Sequence, residues 1–195
     1  MRKYILFGLS AVALAAMPRA GHAQISITPQ VGVYVPANSV NGLRSAGDSI
    51  RVSREGTLAL GFNIDLGVLR GTVAYASAAK LNRNGVSGQS EIGEGKLLAV
   101  AGDLVLRPIP RLIVVQPYLL VGAGLRNANY SYDSGVSNSF PKSDRDFALH
   151  AGVGADLMLG PIGVSAEITD FISQDAADKW KQHDGFGFVG LRLKL

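Results

Sequence analysis

His150, Ser165 and Glu167 come nearest to a nucleophilic set in this 195-residue chain. A serine hydroxyl whose proton passes to an imidazole, itself oriented by a carboxylate, attacks acyl carbonyls. The three residues fall on consecutive alternating segments and on the same face of each. A second grouping is electrostatic. Asp65, Arg70, Asp103, Arg107, Arg126, Asp156, Glu167 and Arg192 carry both signs and occupy the less apolar face of their segments. Charges taken out of water in this way must pair, because an isolated one costs several kcal/mol. Other chemistries are excluded. With no Cys there is no disulfide, thiolate metal site, Cys nucleophile or lipidated Cys. Asp175, Asp178 and Asp184 sit in one connection without calcium-loop spacing, so no metal is expected. Gly122-Ala123-Gly124 and Gly152-Val153-Gly154 lie inside strand patterns with no helix after them, so no nucleotide cofactor is expected.

The elements that position these residues begin after residue 23. Met1-Arg2-Lys3 is basic, Tyr4 to Met17 is apolar, Pro18 breaks the run, and Gly21-His22-Ala23 offers small residues at a cleavage site. This is the layout of a secretory signal peptide, and the run is shorter than the about 20 residues a membrane-crossing helix needs. Residues 1–23 are therefore expected to be removed, leaving 24–195 as one domain. Most of the net charge of +4 goes with them: losing Arg2, Lys3 and Arg19 leaves 16 basic residues against 15 acidic ones. No basic cluster remains for a nucleic acid.

The mature chain alternates apolar and polar or small residues with period two, the signature of strands. Eight segments do so: Ile27–Pro36, Thr57–Leu66, Leu69–Ala79, Lys96–Arg107, Val114–Asn127, Arg145–Met158, Ile162–Ile172 and Gly185–Leu195. The connections alternate strictly between short (around Gly67, Pro108 and Gly160) and long (37–56, 80–95, 128–144 and 173–184). In an antiparallel meander this puts every long loop at one end and every tight turn, with both termini, at the other.

The two faces differ in kind. One is apolar and nearly free of charge. The other holds Ala59, Gly61, Ala74, Ala99, Ala101, Gly122, Gly124, Ala148, Gly152 and Gly154 beside the paired charges. Small residues and ion pairs suit the crowded interior of an eight-stranded barrel. The apolar face is then the outer one, and Tyr75, Tyr130, Tyr132, Phe147 and Phe171 are candidates for aromatic girdles at its edges. The fold class is all-β: an eight-stranded antiparallel up-and-down transmembrane β-barrel.

Pro117 to Leu125, Gly152 to Asp156, Ile162 to Phe171 and Gly190 to Leu195 carry a resemblance to the small bacterial outer-membrane β-barrels, the OmpA/OmpX-like group. The resemblance spans residues 24–195. It implies a bacterial outer-membrane location, assembly by the outer-membrane machinery, a monomer in contact with outer-membrane lipid and lipopolysaccharide, and a structural or surface-interaction role for four external loops. Arg44, Arg51 and Arg54 in the first loop are the residues placed to meet lipopolysaccharide phosphates. Such barrels usually end in Phe or Trp, which the assembly machinery reads; this chain ends in Leu195, preceded by Val189, Leu191 and Leu193. The group includes a lipid A deacylase family whose pattern puts Ser two residues after His, where this chain has Gly152, and whose triad faces lipid. His150 is therefore expected to join the lumenal charge network. A lipid A hydrolase and a soluble periplasmic lipid carrier are the alternatives in function. The narrow lumen, filled by Tyr118, Phe188 and four arginines, is expected to be plugged.

Overall fold

Period-two alternation gives each strand one apolar and one polar or small face, and pairing such strands sorts those faces onto the two sides of a sheet. The computed structural model describes residues 25–36, 44–45, 48–52, 56–85, 88–108, 114–133, 143–174 and 180–195. They form ten strands: β1 (Ile25–Pro36), β2 (Arg44–Ser45), β3 (Asp48–Val52), β4 (Thr57–Leu66), β5 (Leu69–Gly85), β6 (Gly88–Leu106), β7 (Val115–Tyr132), β8 (Ser143–Leu159), β9 (Ile162–Gln174) and β10 (Trp180–Lys194). Eight of them close a ring. Each pairs antiparallel with its chain neighbour from β4 through β10, and β1 joins the ends by pairing with both β4 and β10. Closure leaves no edge in the eight-stranded wall. The turns at Gly67 and Gly160 adopt φ of 69° and 75°, left-handed values that favour glycine.

Outward positions are apolar and exposed: Leu58, Leu60, Phe62, Ile64 and Leu66 on β4, and Val31, Val33 and Val35 on β1. Inward positions on the same strands are buried and polar or small, among them Ser26, Thr28, Gln30, Ala59, Asn63 and Asp65. The barrel is thus inverted relative to a water-soluble one, with its charges inside and its large aliphatic side chains outside.

The strands differ from the sequence expectation mainly at the end where the long connections lie. Thr57–Leu66 coincides with β4. β5 and β6 instead continue to Gly85 and from Gly88, so most of 80–95, expected as a loop, is a paired hairpin. Beyond the apolar band consecutive residues are polar, as in Asn82-Arg83-Asn84; the alternation vanishes while the backbone ladder continues. The expected first loop, 37–56, contains β2 and β3. β3 pairs with β5 at Ser49↔Asn84 through Val52↔Leu81, occupying the edge that β4 leaves after Ala59↔Ala76. The expected signal segment, Arg54, Asp175 and Asp178 lie outside the described residues.

Three girdle expectations are corrected. Tyr75 and Phe147 face outward, but Tyr130 and Phe171 are buried inside, because they share the parity of the inward Arg126 and Glu167. Tyr132, of the same parity, is partly buried against the core inside the barrel.

Candidate functional site: the lumen of the barrel

The inward charges gather into clusters stacked along the barrel. At the tight-turn end, Arg70 is central. Its Nε lies 2.9 Å from Asp65 Oδ1 and its Nη1 2.8 Å from Glu167 Oε2, and its guanidinium lies 4.8 Å from the centre of the Tyr118 ring. Tyr118 donates its hydroxyl to Glu167 Oε2 at 2.7 Å and sits 3.2 Å from Ser165 Oγ; Asn63 Nδ2 donates to Glu167 Oε1 at 3.2 Å. Arg192 Nη1 bridges Asp65 Oδ2 and Asp156 Oδ2, each at 3.1 Å, while its Nη2 donates to Ser26 Oγ at 2.7 Å. Arg107 stands at the mouth, partly exposed. It is 3.9 Å from Asp156 Oδ2 and donates to the Gly67 carbonyl at 3.4 Å. Three arginines thus face three acids, so the cluster is neutral; buried ion pairs persist only when matched and hydrogen-bonded in this way.

Midway, Thr72 donates to Asp103 Oδ2 at 2.6 Å and His150 Nδ1 lies 2.8 Å from Asp103 Oδ1. The imidazole stacks on Phe171 with ring centres 4.0 Å apart. Phe186 centres an aromatic layer, its ring 5.9 Å from Phe171, 5.4 Å from Phe188 and 5.0 Å from Tyr34. At the long-connection end, Arg126 Nε meets Asp184 Oδ2 at 2.8 Å. Its Nη1 meets Asp146 at 2.9 Å and Asp144 at 3.3 Å, and Tyr34 donates to Asp184 Oδ1 at 2.6 Å. The cavity beside Arg126, Asp184, Tyr34 and Tyr130 measures about 20 Å³, room for about one water.

Glycines set the reach of these contacts. Tyr118 on β7 passes over Gly154 of β8 to meet Glu167 on β9, and a Cβ at Gly154 would run into the Tyr118 ring. Asp103 on β6 passes over Gly122 of β7 to meet His150 on β8, and a Cβ at Gly122 would run into Asp103 Oδ1.

Asp65, Arg70, Asp103, Arg126, His150, Asp156, Glu167 and Arg192 are all buried in the lumen, and Arg107 closes its mouth. The nucleophilic set does not assemble. Glu167 is held by Arg70, Tyr118 and Asn63, Ser165 lies against Tyr118, and His150 belongs to Asp103. In the Thr72–Asp103–His150 chain the carboxylate stands between hydroxyl and imidazole, so the ring cannot take the hydroxyl proton. Among the described residues, no three His, Asp or Glu side chains are grouped to hold a metal ion. Of the first-loop arginines, Arg44 and Arg51 lie on β2 and β3 and Arg54 is outside the described residues.

Two features escaped the sequence reading. Asp184, expected in the last loop, is a buried lumenal residue of β10 and the nearest partner of Arg126 Nε. On the outer face, His183 Nδ1 lies 2.6 Å from Asp170 Oδ2, with both side chains over a third exposed. Asp170 has the parity of the outward Ile168, which is the signal that could have found it. Among the described residues, the neighbouring outward positions, Ala151, Ile168, Ile172, Gly185, Val33 and Val35, hold no hydroxyl.

No family model matches the chain, and no curated protein matches it. Among solved structures it is similar to Neisserial surface protein A, with 18% identity and a TM-score of 0.54 over 88% of this chain and 97% of that one. It also matches the N-terminal β-barrel domain of Pseudomonas aeruginosa OprF (10% identity, TM-score 0.46, 87% and 97% covered) and E. coli outer membrane protein W (11%, 0.47, 90% and 100%). The likeness to Neisserial surface protein A agrees with the strand pairing: the fold is an eight-stranded closed antiparallel barrel.

Proposed function

We propose that the protein is an integral β-barrel of a bacterial outer membrane, exported by a cleaved signal peptide. On this reading its role is structural and surface-interacting, not enzymatic. The observation that carries the proposal is the inversion of the barrel: exposed aliphatic side chains on the outward face of all eight wall strands, and a neutral, hydrogen-bonded charge cluster inside. Water would leave that outer face unsatisfied; hydrocarbon matches it. About ten residues of strand rise roughly 33 Å and at about 45° tilt cover roughly 23 Å, close to an apolar band about 25 Å tall. Closure of the ring satisfies backbone groups internally, as hydrocarbon requires. The name of Neisserial surface protein A, which shares the fold, fits the same assignment.

The lumen, filled among the described residues by ion pairs and aromatic rings, favours a plug over a channel and over a carrier of lipid. The long connections, with Arg44, Arg51 and Arg54 in the first, are then external and meet lipopolysaccharide phosphates. The monomer is delivered by the outer-membrane assembly machinery, for which Val189, Leu191 and Leu193 supply the terminal apolar pattern. Folding of the mature chain into lipid vesicles tests this reading. A faster-migrating unheated band on gels, with protease cuts confined to the four long connections and the termini, is expected. A mature chain that stays soluble and monomeric without detergent overturns it.

A further inference from the structure

The Asp170–His183 pair is anomalous for the face it occupies. On β9 the outward positions run Ile162, Val164, Ala166, Ile168, Asp170 and Ile172, so a carboxylate interrupts an otherwise apolar column. Eight residues separate Ile162 from Asp170, which at about 3.3 Å per residue and about 45° tilt puts the pair roughly 19 Å above the tight turn, near the external end of the apolar band. Directly below it the outer surface is hollowed. Gly187 of β10 and Ala166 of β9 form the floor, and Val31, Val33, Val153 and Ile168 the walls, of an open groove of about 520 Å³. Gly185 on β10 joins the groove to the pair, because it is the cross-strand partner of Asp170 and precedes Gly187 on the same face. In a comparable groove on the far side, around Gly71, Gly102 and Ala123, the same outward columns continue to Ser77, Lys96 and Asn127, which offer no carboxylate–imidazole pair.

We infer that the Asp170–His183 pair and the groove beneath it hold one glycerophospholipid bearing a primary-amine headgroup, its ammonium against the pair and one acyl chain along Gly185 and Gly187. This rests on the membrane reading above. Charge selects the headgroup. With a neutral ring the pair carries −1, and with a protonated ring it carries zero, so in neither state does it attract a phosphate on balance. The contact at 2.6 Å puts the shared proton between Nδ1 and the carboxylate, leaving Nε2 of a neutral ring as an acceptor for an N–H donor. Among the described residues Asp170 Oδ1 is buried without a hydrogen-bond partner, so the ammonium meets the open part of the pair, whose side chains are 35% and 40% exposed. The acyl chain is already in hydrocarbon, so the groove adds packing contacts along its length and the headgroup contact sets the selectivity.

The test is native mass spectrometry of protein released from vesicles made of equal parts phosphatidylethanolamine, phosphatidylglycerol and phosphatidylcholine. The expected result is one retained phosphatidylethanolamine, enriched several-fold over its share of the vesicle. Asp170→Asn and His183→Ala should each bring the retained lipid back to the bulk ratio, and Gly187→Leu, which fills the groove and leaves the pair alone, should do the same. Every sample is checked for the heat-modifiable gel shift. Folded, inserted protein with bulk lipid ratios, with phosphatidylglycerol enriched, or with enrichment unchanged in the variants overturns this inference alone. A chain that never inserts overturns the membrane reading with it.

Discussion

Asp103 on β6 and His150 on β8 meet at 2.8 Å although β7 runs between their strands. The contact exists because β7 presents Gly122 at the crossing point, with no side chain to occupy the space. The same device lets Tyr118 reach Glu167 over Gly154. Glycines on the inward face therefore let ion pairs and hydrogen bonds link strands that share no backbone ladder.

Gly122→Ala should destabilise the folded barrel, by about 1–3 kcal/mol in denaturant titration, because its methyl must displace Asp103 and the Gly102 carbonyl. Gly102→Ala is the control: its Cβ points to open space on the outer face. Equal effects of the two substitutions would refute the role given to Gly122.

Removing the carboxylate of Glu167 strands Arg70, Tyr118 and Asn63 together. Glu167→Ala should cost about 3–5 kcal/mol, the range for breaking one partner of a buried pair. Tyr118→Phe removes one hydrogen bond to a charged group and should cost about 1.5–3 kcal/mol. A double-mutant cycle on these positions should give coupling well outside additivity; additive losses would mean the two side chains act independently.

How much of this network was legible in the sequence depended on parity. Alternation in Leu58–Leu66 and Leu119–Leu125 sorts inward from outward residues, and it put Asp65, Arg70, Arg126 and Glu167 on one face. Parity does not say who pairs with whom. Asp103 joins His150, and Tyr118 joins Glu167, through the stagger of the closed ring and the gaps left by Gly122 and Gly154, neither of which a single strand reveals. Asp184 was hidden for another reason: the start of β10, His183-Asp184-Gly185, has polar residues on both faces, so no alternation marks it as strand. The same loss of contrast concealed the continuation of β5 and β6 past Ala79.

The stacked side chains Arg70, Tyr118, Phe188, Phe186 and Arg126 should block ion flow. Planar bilayers holding the protein should show no large, ion-selective conductance steps, whereas the triple substitution Phe171→Ala, Phe186→Ala, Phe188→Ala should admit small ones by opening the aromatic layer. Large steps from the unaltered protein would contradict a plugged lumen.

His150→Ala should leave any lipid-hydrolysing activity of the preparation unchanged, since His150 Nδ1 is engaged by Asp103 and neither Ser165 nor Glu167 is its partner. Loss of a measured hydrolase activity in that variant would reopen the enzymatic alternative.

The orientation of the two faces is the claim on which the account depends, and a single fluorophore reads it directly. The chain has one Trp, so Trp180→Phe gives a background in which Leu60→Trp places one indole on the outward face of β4. In vesicles containing brominated acyl chains, that indole should be strongly quenched, and aqueous iodide should barely affect it. Weak quenching by the brominated lipid with strong quenching by iodide would put the outer face of the barrel in water and contradict the account.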